Sequence, residues 1–252
     1  MARRGVPLTL LTVAALCTLR IAAAQDAPTG VFRMSYTTPE IVGQQTAEAL
    51  ADVIPVDEPL RWEVYVPYSY DARRPAGVFV YVDPRDWGGM PDRWRDVFNK
   101  RNMIWVGANL SDRRSSDLKR IWAAILGSRA LEKQYKIDLN RQYIGSSGDA
   151  ATIAVNVMLS ASEFVGAVYI SGSRYWREGL PPQIESFRRK YHVFITGSND
   201  KLMPAIRKDV ENYKKDGVTN VKLIYRPEGL RGGPSAEDID EALQYLDSRG
   251  GG

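Results

Sequence analysis

The sequence predicts an α/β protein: a mostly parallel central sheet with antiparallel N-terminal strands and helices on both faces. Three observations carry this. From Gly77 onward, short runs that are apolar at nearly every position alternate with segments whose apolar residues recur at helical spacing. A strand reads as a continuous apolar run when both its faces are covered, and strand alternating with helix gives parallel neighbours joined by right-handed crossovers. Before Gly77 the signal changes, because Trp62, Val64 and Val66 alternate with charged or polar neighbours, as in an antiparallel strand with one wet face.

The first 24 of the 252 residues read as a secretory signal. Arg3 and Arg4 precede an uncharged apolar run from Leu8 to Leu19, and Ala22-Ala23-Ala24 supply small residues for cleavage. The run is shorter than the roughly 20 apolar residues that span a bilayer. Leu16 before Cys17 does not suit a lipidation box. Cleavage after Ala24 therefore predicts a periplasmic or secreted protein, a single domain over 25–248 and a flexible tail over 249–252. The leader holds Arg3, Arg4 and Arg20 and no acidic residue, so its removal lowers the net charge from +4 to +1. A near-neutral mature chain gives nucleic acid little to bind. The leader also takes the only cysteine, leaving no disulfide, thiol nucleophile or thiolate metal site.

The strands expected along the chain are Val31–Thr37 and Arg61–Pro67, with no regular helix between them, and then Gly77–Val82 and Met103–Ala108. A helix over Asp117–Tyr135 follows, with Leu118, Ile121, Trp122, Ile125 and Leu126 as its core-facing stripe. Next come a strand at Gln142–Gly145, a helix from about Asp149 to Ser160 and a strand at Val165–Ile170. The series closes with a strand at Tyr191–Thr196, a helix at Lys201–Asp216, a strand at Val221–Tyr225 and a helix at Ala236–Leu246.

Loops at the carboxyl ends of parallel strands hold the ligands of such sheets. The loop Gly145-Ser146-Ser147-Gly148-Asp149-Ala150 joins a strand to a helix through a tight turn of small residues, the setting of a nucleophile elbow. Ser147 fits the serine of G-x-S-x-G, with Asp149 in place of the last glycine. Counting from Tyr143 puts Gly148 at the nucleophile position instead, and counting back from Phe164 puts Ser147 there. A carboxylate at Asp149 would oppose the oxyanion that forms in acyl transfer. The plainer reading is a turn with Asp149 at a helix start.

These segments resemble secreted bacterial α/β-hydrolases similar to poly(3-hydroxybutyrate) depolymerase and feruloyl-esterase-like proteins. The resemblance runs from Trp62 to Leu246 through Tyr65-Val66-Pro67, Gly77–Pro84, Asn102–Asn109, Ile137–Tyr143, Phe164–Gly172 and Ile195–Asp200. It implies the α/β-hydrolase fold, with Ser147 and Asp200 as remnant catalytic positions; Asp200 reads equally well as a helix cap. The histidine of such proteins follows the last strand, and here that position falls on Arg231 or Gly232. The one histidine of the chain, His192, lies inside a predicted strand. Without a neighbouring base a serine hydroxyl is a poor nucleophile near neutral pH, and a guanidinium such as Arg231 stays protonated.

Asp83, Trp87, Gly148, Asp149 and Trp176 are the candidate ligand-cleft residues, with Trp94 and Tyr175 beside them. Their aromatic rings suit a sugar or an aryl ester, and the plainer role is to cover a sheet edge. Asp83, Asp86, Asp92 and Asp96 are interleaved with arginines, which reads as charge balance rather than a metal site, and no cofactor motif is present. Three functions follow: a non-catalytic homologue that binds a small molecule or a protein; a weak esterase using Ser147 with an unconventional base; and a structural protein whose cleft is filled.

Overall fold

The structure, a computed structural model, describes residues 27–85, 87–108, 114–176 and 178–250; the predicted leader lies outside them. One eight-stranded sheet organises these residues, in the order β1-β2-β4-β3-β5-β6-β7-β8. The strands are β1 (Gly30–Tyr36), β2 (Leu60–Val66), β3 (Ala76–Val82), β4 (Met103–Ala108), β5 (Ile137–Ser147), β6 (Gly166–Ile170), β7 (Tyr191–Gly197) and β8 (Val221–Arg226). β2 runs antiparallel to both β1 and β4, and every pairing from β4 to β8 is parallel. The alternation in β2 sets this edge: Trp62, Val64 and Val66 are buried on one face, while Arg61 is exposed and Glu63 is partly so.

The helices are α1 (Thr38–Val42), α2 (Gln44–Ala49), α3 (Arg95–Arg101), α4 (Asp117–Leu131), α5 (Ala151–Ser160), α6 (Ile184–Arg188), α7 (Met203–Lys215) and α8 (Ala236–Gly250). α4, α5, α6 and α7 pack on one face of the sheet, and α3 and α8 on the other. On the first face the indole of Trp62 donates to the Ala123 carbonyl at 2.9 Å. A Cβ on Gly127 would fall 2.6 Å from that indole nitrogen, so α4 approaches the sheet only because residue 127 has no side chain.

Several boundaries differ from the sequence expectation; α4, for one, stops at Leu131 rather than Tyr135. The β1–β2 connection, expected to lack a regular helix, contains α1 and α2. Pro39 lies in the first turn of α1, and Glu40 accepts from both the Thr37 amide and hydroxyl, at 2.6 and 2.8 Å. Helices of five and six residues are too short to display an apolar stripe, and α3, of seven residues, and α6, of five, escaped notice for the same reason. β5 begins at Ile137 rather than Gln142, because a register shift against β3 leaves its polar first half at the sheet margin. α8 continues through Gly250 rather than stopping at Leu246. Asp247 accepts there from Arg101 at 3.0 Å, Arg141 at 2.9 Å and the Tyr143 hydroxyl at 3.0 Å, which ties the last turns to α3 and β5.

Candidate functional site

Strand alternation sends Phe79 and Tyr81 of β3 to the α3/α8 face, where they meet an aromatic wall. The Tyr81 ring stacks on Trp105 at 4.7 Å and meets Trp94 edge-on at 6.3 Å. Gly145 of β5 makes room, since a Cβ there would lie 2.4 Å from the Phe79 ring. The loop leaving β3 is then pressed across the end of the sheet. The Trp105 indole donates to the Gly88 carbonyl at 2.8 Å, and a Cβ on Gly107 would sit 1.8 Å from that oxygen. On the far side, the Arg93 guanidinium donates to the Gly232 and Pro234 carbonyls at 2.7 and 2.8 Å, and the Trp94 indole to Pro234 at 3.1 Å. Between the two loops lies a cleft of about 720 Å³ at the carboxyl ends of the strands, with Tyr81, Ser147 and Ile170 at its floor.

The polar groups of the cleft are mostly paired. Asp83 is buried and accepts from the Arg85 amide at 2.8 Å and from its guanidinium at 2.9 and 3.2 Å. Arg85 also lies 5.7 Å from the centre of the Trp87 ring, a Cβ on Gly89 would fall 3.1 Å from that ring, and Trp87 remains 48% exposed. Burial pushes the Tyr81 phenol up to about 12, against a hydrogen bond from Ser147 and the fields of Arg85 and Arg93, and with the help of Asp83. Tyr81 is thus the titratable partner of Ser147, and it holds its proton far above neutral pH.

The turn after β5 is resolved residue by residue. Ser147 ends the strand in an extended conformation, φ −124° and ψ 149°. Gly148 is the residue in the left-handed region, at φ +56°, and a Cβ there would meet nothing within 4 Å. Gly172, after β6, presses on this turn, because a Cβ at 172 would lie 2.0 Å from the Gly148 carbonyl. Asp149 is exposed within a 3-10 turn that leads into α5.

Of the candidate site residues named from the sequence, Asp83, Trp87, Trp94, Ser147 and Gly232 line the cleft, and Gly148, Asp149, Tyr175, Trp176, Asp200 and Arg231 do not. Asp200 accepts from the Thr196 hydroxyl and the Leu202 amide, both at 2.8 Å, which caps the approach to α7. Trp176 donates to Asp216 at 2.8 Å and stacks on Tyr213 at 4.9 Å, in the aromatic cluster around Phe187. His192 is fully buried in that cluster, with Nδ1 3.2 Å from the Tyr169 hydroxyl and Nε2 3.1 Å from the Phe187 carbonyl. Its level on β7 is three residues below Ile195, which stands level with Ile170 and Ser147. That places it about 10 Å down the strand direction and two strands across. Sequence reasoning missed Tyr81 and Arg93. The first was hidden inside an apolar run, and the second inside a charge-balanced segment whose local pairing gave no sign of a contact about 140 residues away.

Among the described residues, no three His, Cys, Asp or Glu side chains gather as a metal site, and no helix is long and apolar enough to cross a membrane. No family model matches the chain, and neither does any curated protein. Solved structures do. A thermostable esterase superposes with a TM-score of 0.61 and 16% identity over 87% of this chain, which spans 62% of that enzyme's length. The S-formylglutathione hydrolase of Staphylococcus aureus gives 0.58 and 11% over 87% of this chain and 98% of its own. An esterase of Rhizomucor miehei gives 0.61 and 14% over 88% and 85%. With the strand order above, these likenesses establish the α/β-hydrolase fold.

Proposed function

We propose that this protein is an exported, non-catalytic relative of carboxylic-ester hydrolases, of the depolymerase and feruloyl-esterase-like group, that holds a small ligand in the cleft above Ser147. One observation carries the reading: the left-handed residue of the β5 turn is Gly148, and nothing occupies the space into which its side chain would point. A hydrolase elbow is a strained turn because it lifts the nucleophile out of the strand. The positive φ of Gly148 supports that residue in this position, with Ser147 one residue early in ordinary extended backbone. Ser146 and Ala150, both small and buried, flank it two residues away on either side, as the crowded turn requires.

The remaining groups support the same reading. The loop after β8 carries no histidine, and the Arg93 guanidinium occupies its carbonyls at Gly232 and Pro234. Tyr81, the titratable neighbour of Ser147, would have to act as phenolate, and at a pKa of about 12 only about one molecule in 10⁵ has one at neutral pH. The carboxylate of Asp149 stands next to the amide that would receive an oxyanion. The openness of the cleft argues against a purely structural protein. Export rests on Arg3, Arg4, the apolar run and Ala22–Ala24.

The test is turnover of 4-nitrophenyl acetate by purified mature protein beside Ser147→Ala and Gly148→Ser. All three are expected at the buffer rate, Gly148→Ser included, because a serine restored without a base remains unactivated. Clear turnover by the parent that Ser147→Ala abolishes would overturn the reading.

A further inference from the structure

The four charged side chains that line the cleft are not equivalent. Asp83 and Arg85 neutralise each other in a fork of hydrogen bonds. Asp92 pairs with Arg95 at 2.7 Å. Arg93 has no carboxylate partner among the described residues; its guanidinium is held by two backbone carbonyls, at Gly232 and Pro234. Those bonds use Nε and one hydrogen of Nη2, so three of its five N–H donors remain for something else. The carbonyls fix the plane of the guanidinium at the rim, so it is oriented in advance for a two-point acceptor.

Trp87, which also lines the cleft, supplies the complementary half. Trp87 is one of the few large exposed aromatics, and it stands on the β3 loop that Trp105 clamps through Gly88. Beneath it the floor is the aromatic group of Tyr81 and Trp94 with Ile170. An apolar body against Trp87 that carries a negative group to Arg93 would use both lining residues.

We propose that the cleft is a binding site for aryl carboxylates, with the carboxylate on Arg93 and the ring against Trp87. This rests on the reading of the cleft as a ligand site but not on the loss of catalysis. A neutral amide or ester of the same acid keeps the ring contact and loses the charge-assisted pair, so it binds more weakly.

The experiment is a titration of the mature protein with cinnamate and with cinnamamide, followed by calorimetry and by changes in the Trp87 indole resonance. Cinnamate is expected to bind about tenfold or more tightly than cinnamamide, as one charge-assisted bidentate contact provides. Arg93→Gln should bring the acid down to the amide, and Arg93→Lys should recover part of the difference, since lysine keeps the charge without the fork. Trp87→Ala should weaken both ligands. Equal affinity of the acid and the amide for the parent, absence of binding by either, or an Arg93→Gln protein that still prefers the acid would each overturn the proposal. The acid–amide comparison uses the parent alone, so a folding defect in a variant does not blunt it. Ester turnover dependent on Ser147 would overturn the non-catalytic reading and leave this preference standing, so the two failures are distinguishable.

Discussion

Acid sensitivity should be concentrated in His192, far from the cleft. Its ring is fully buried between Phe187, at 4.1 Å between centroids, and Tyr169. A carbonyl can only accept, so Nε2 carries the hydrogen and donates to Phe187, while Nδ1 accepts from the Tyr169 hydroxyl. Burial lowers the pKa from 6.5 to about 4; the Phe187 carbonyl opposes the shift and the charge of Lys190 adds to it. Between those values the unfolded chain binds a proton that the native protein excludes. The contribution to stability is therefore whole above about pH 6.5 and is lost as pH falls toward 4. The full difference is worth about 3 kcal/mol, of which about 2 to 3 is gone by pH 4.5. Glutamine at 192 can donate to the same carbonyl and accept from the same hydroxyl without titrating. Glu40, Asp71, Asp240 and Glu241, whose pKa values are all held low, also weaken the fold in acid, and they do so equally in both proteins. Urea unfolding of the parent and His192→Gln at pH 7 and pH 4.5 isolates the histidine. The variant should lose about 2 kcal/mol less on acidification. An equal loss in the two proteins would refute the argument.

Two further outcomes follow from packing. Gly172→Ala drives a Cβ to 2.0 Å from the Gly148 carbonyl and should cost about 1–3 kcal/mol through a backbone shift. Gly148→Ala meets nothing and should cost only about 1 kcal/mol for its left-handed φ; urea midpoints in the reverse order would sink this account of the turn. Asp247→Asn leaves the Arg101 and Arg141 guanidiniums, 13% and 21% exposed, without the carboxylate that joins them. A loss of about 1–3 kcal/mol is expected, limited because Arg101 keeps Asp240. A thermal midpoint unchanged from the parent would show that the network does not hold α8.

The sheet was legible because its signal is distributed. Val78, Val80 and Val82 on one face and Phe79 and Tyr81 on the other make β3 apolar at every position, and losing one of them would leave the pattern readable. The site was less legible because its signal is a matter of single residues. Whether Ser147 or Gly148 stands at the top of the β5 turn depends on one residue of register, and the strings on either side gave opposite counts. On the proposed reading they are told apart by φ, which is positive at Gly148 and negative at Ser147 and which no spacing rule supplies. Arg93 was read as part of a local charge run, and its partners are carbonyls that sequence cannot display. Trp87 and Trp176 looked alike as aromatics after a strand, yet one faces the cleft and the other joins Tyr213 and Phe187 in the core. The difference comes from Asp216 at the end of α7, which accepts from both Tyr175 and Trp176.

On the proposed reading, the changes at the old catalytic positions also favour the fold. A side chain held at positive φ costs on the order of 1–2 kcal/mol, a strain that an active site stores to present its nucleophile. Glycine at 148 removes that strain and keeps the turn that Gly172 packs against. In the loop after β8, a histidine that must stay free to exchange protons would leave the neighbouring carbonyls to water. Arg93 instead binds the Gly232 and Pro234 carbonyls and so ties the β3 loop to the β8 loop. Each change exchanges a group poised for chemistry for one that is satisfied in the ground state, the direction expected where stability is no longer opposed by selection for turnover. The cleft survives because its floor is set by Tyr81 and Trp94, packed on Trp105 as part of the core. The sheet could therefore lose its chemistry at the rim without closing the space above it.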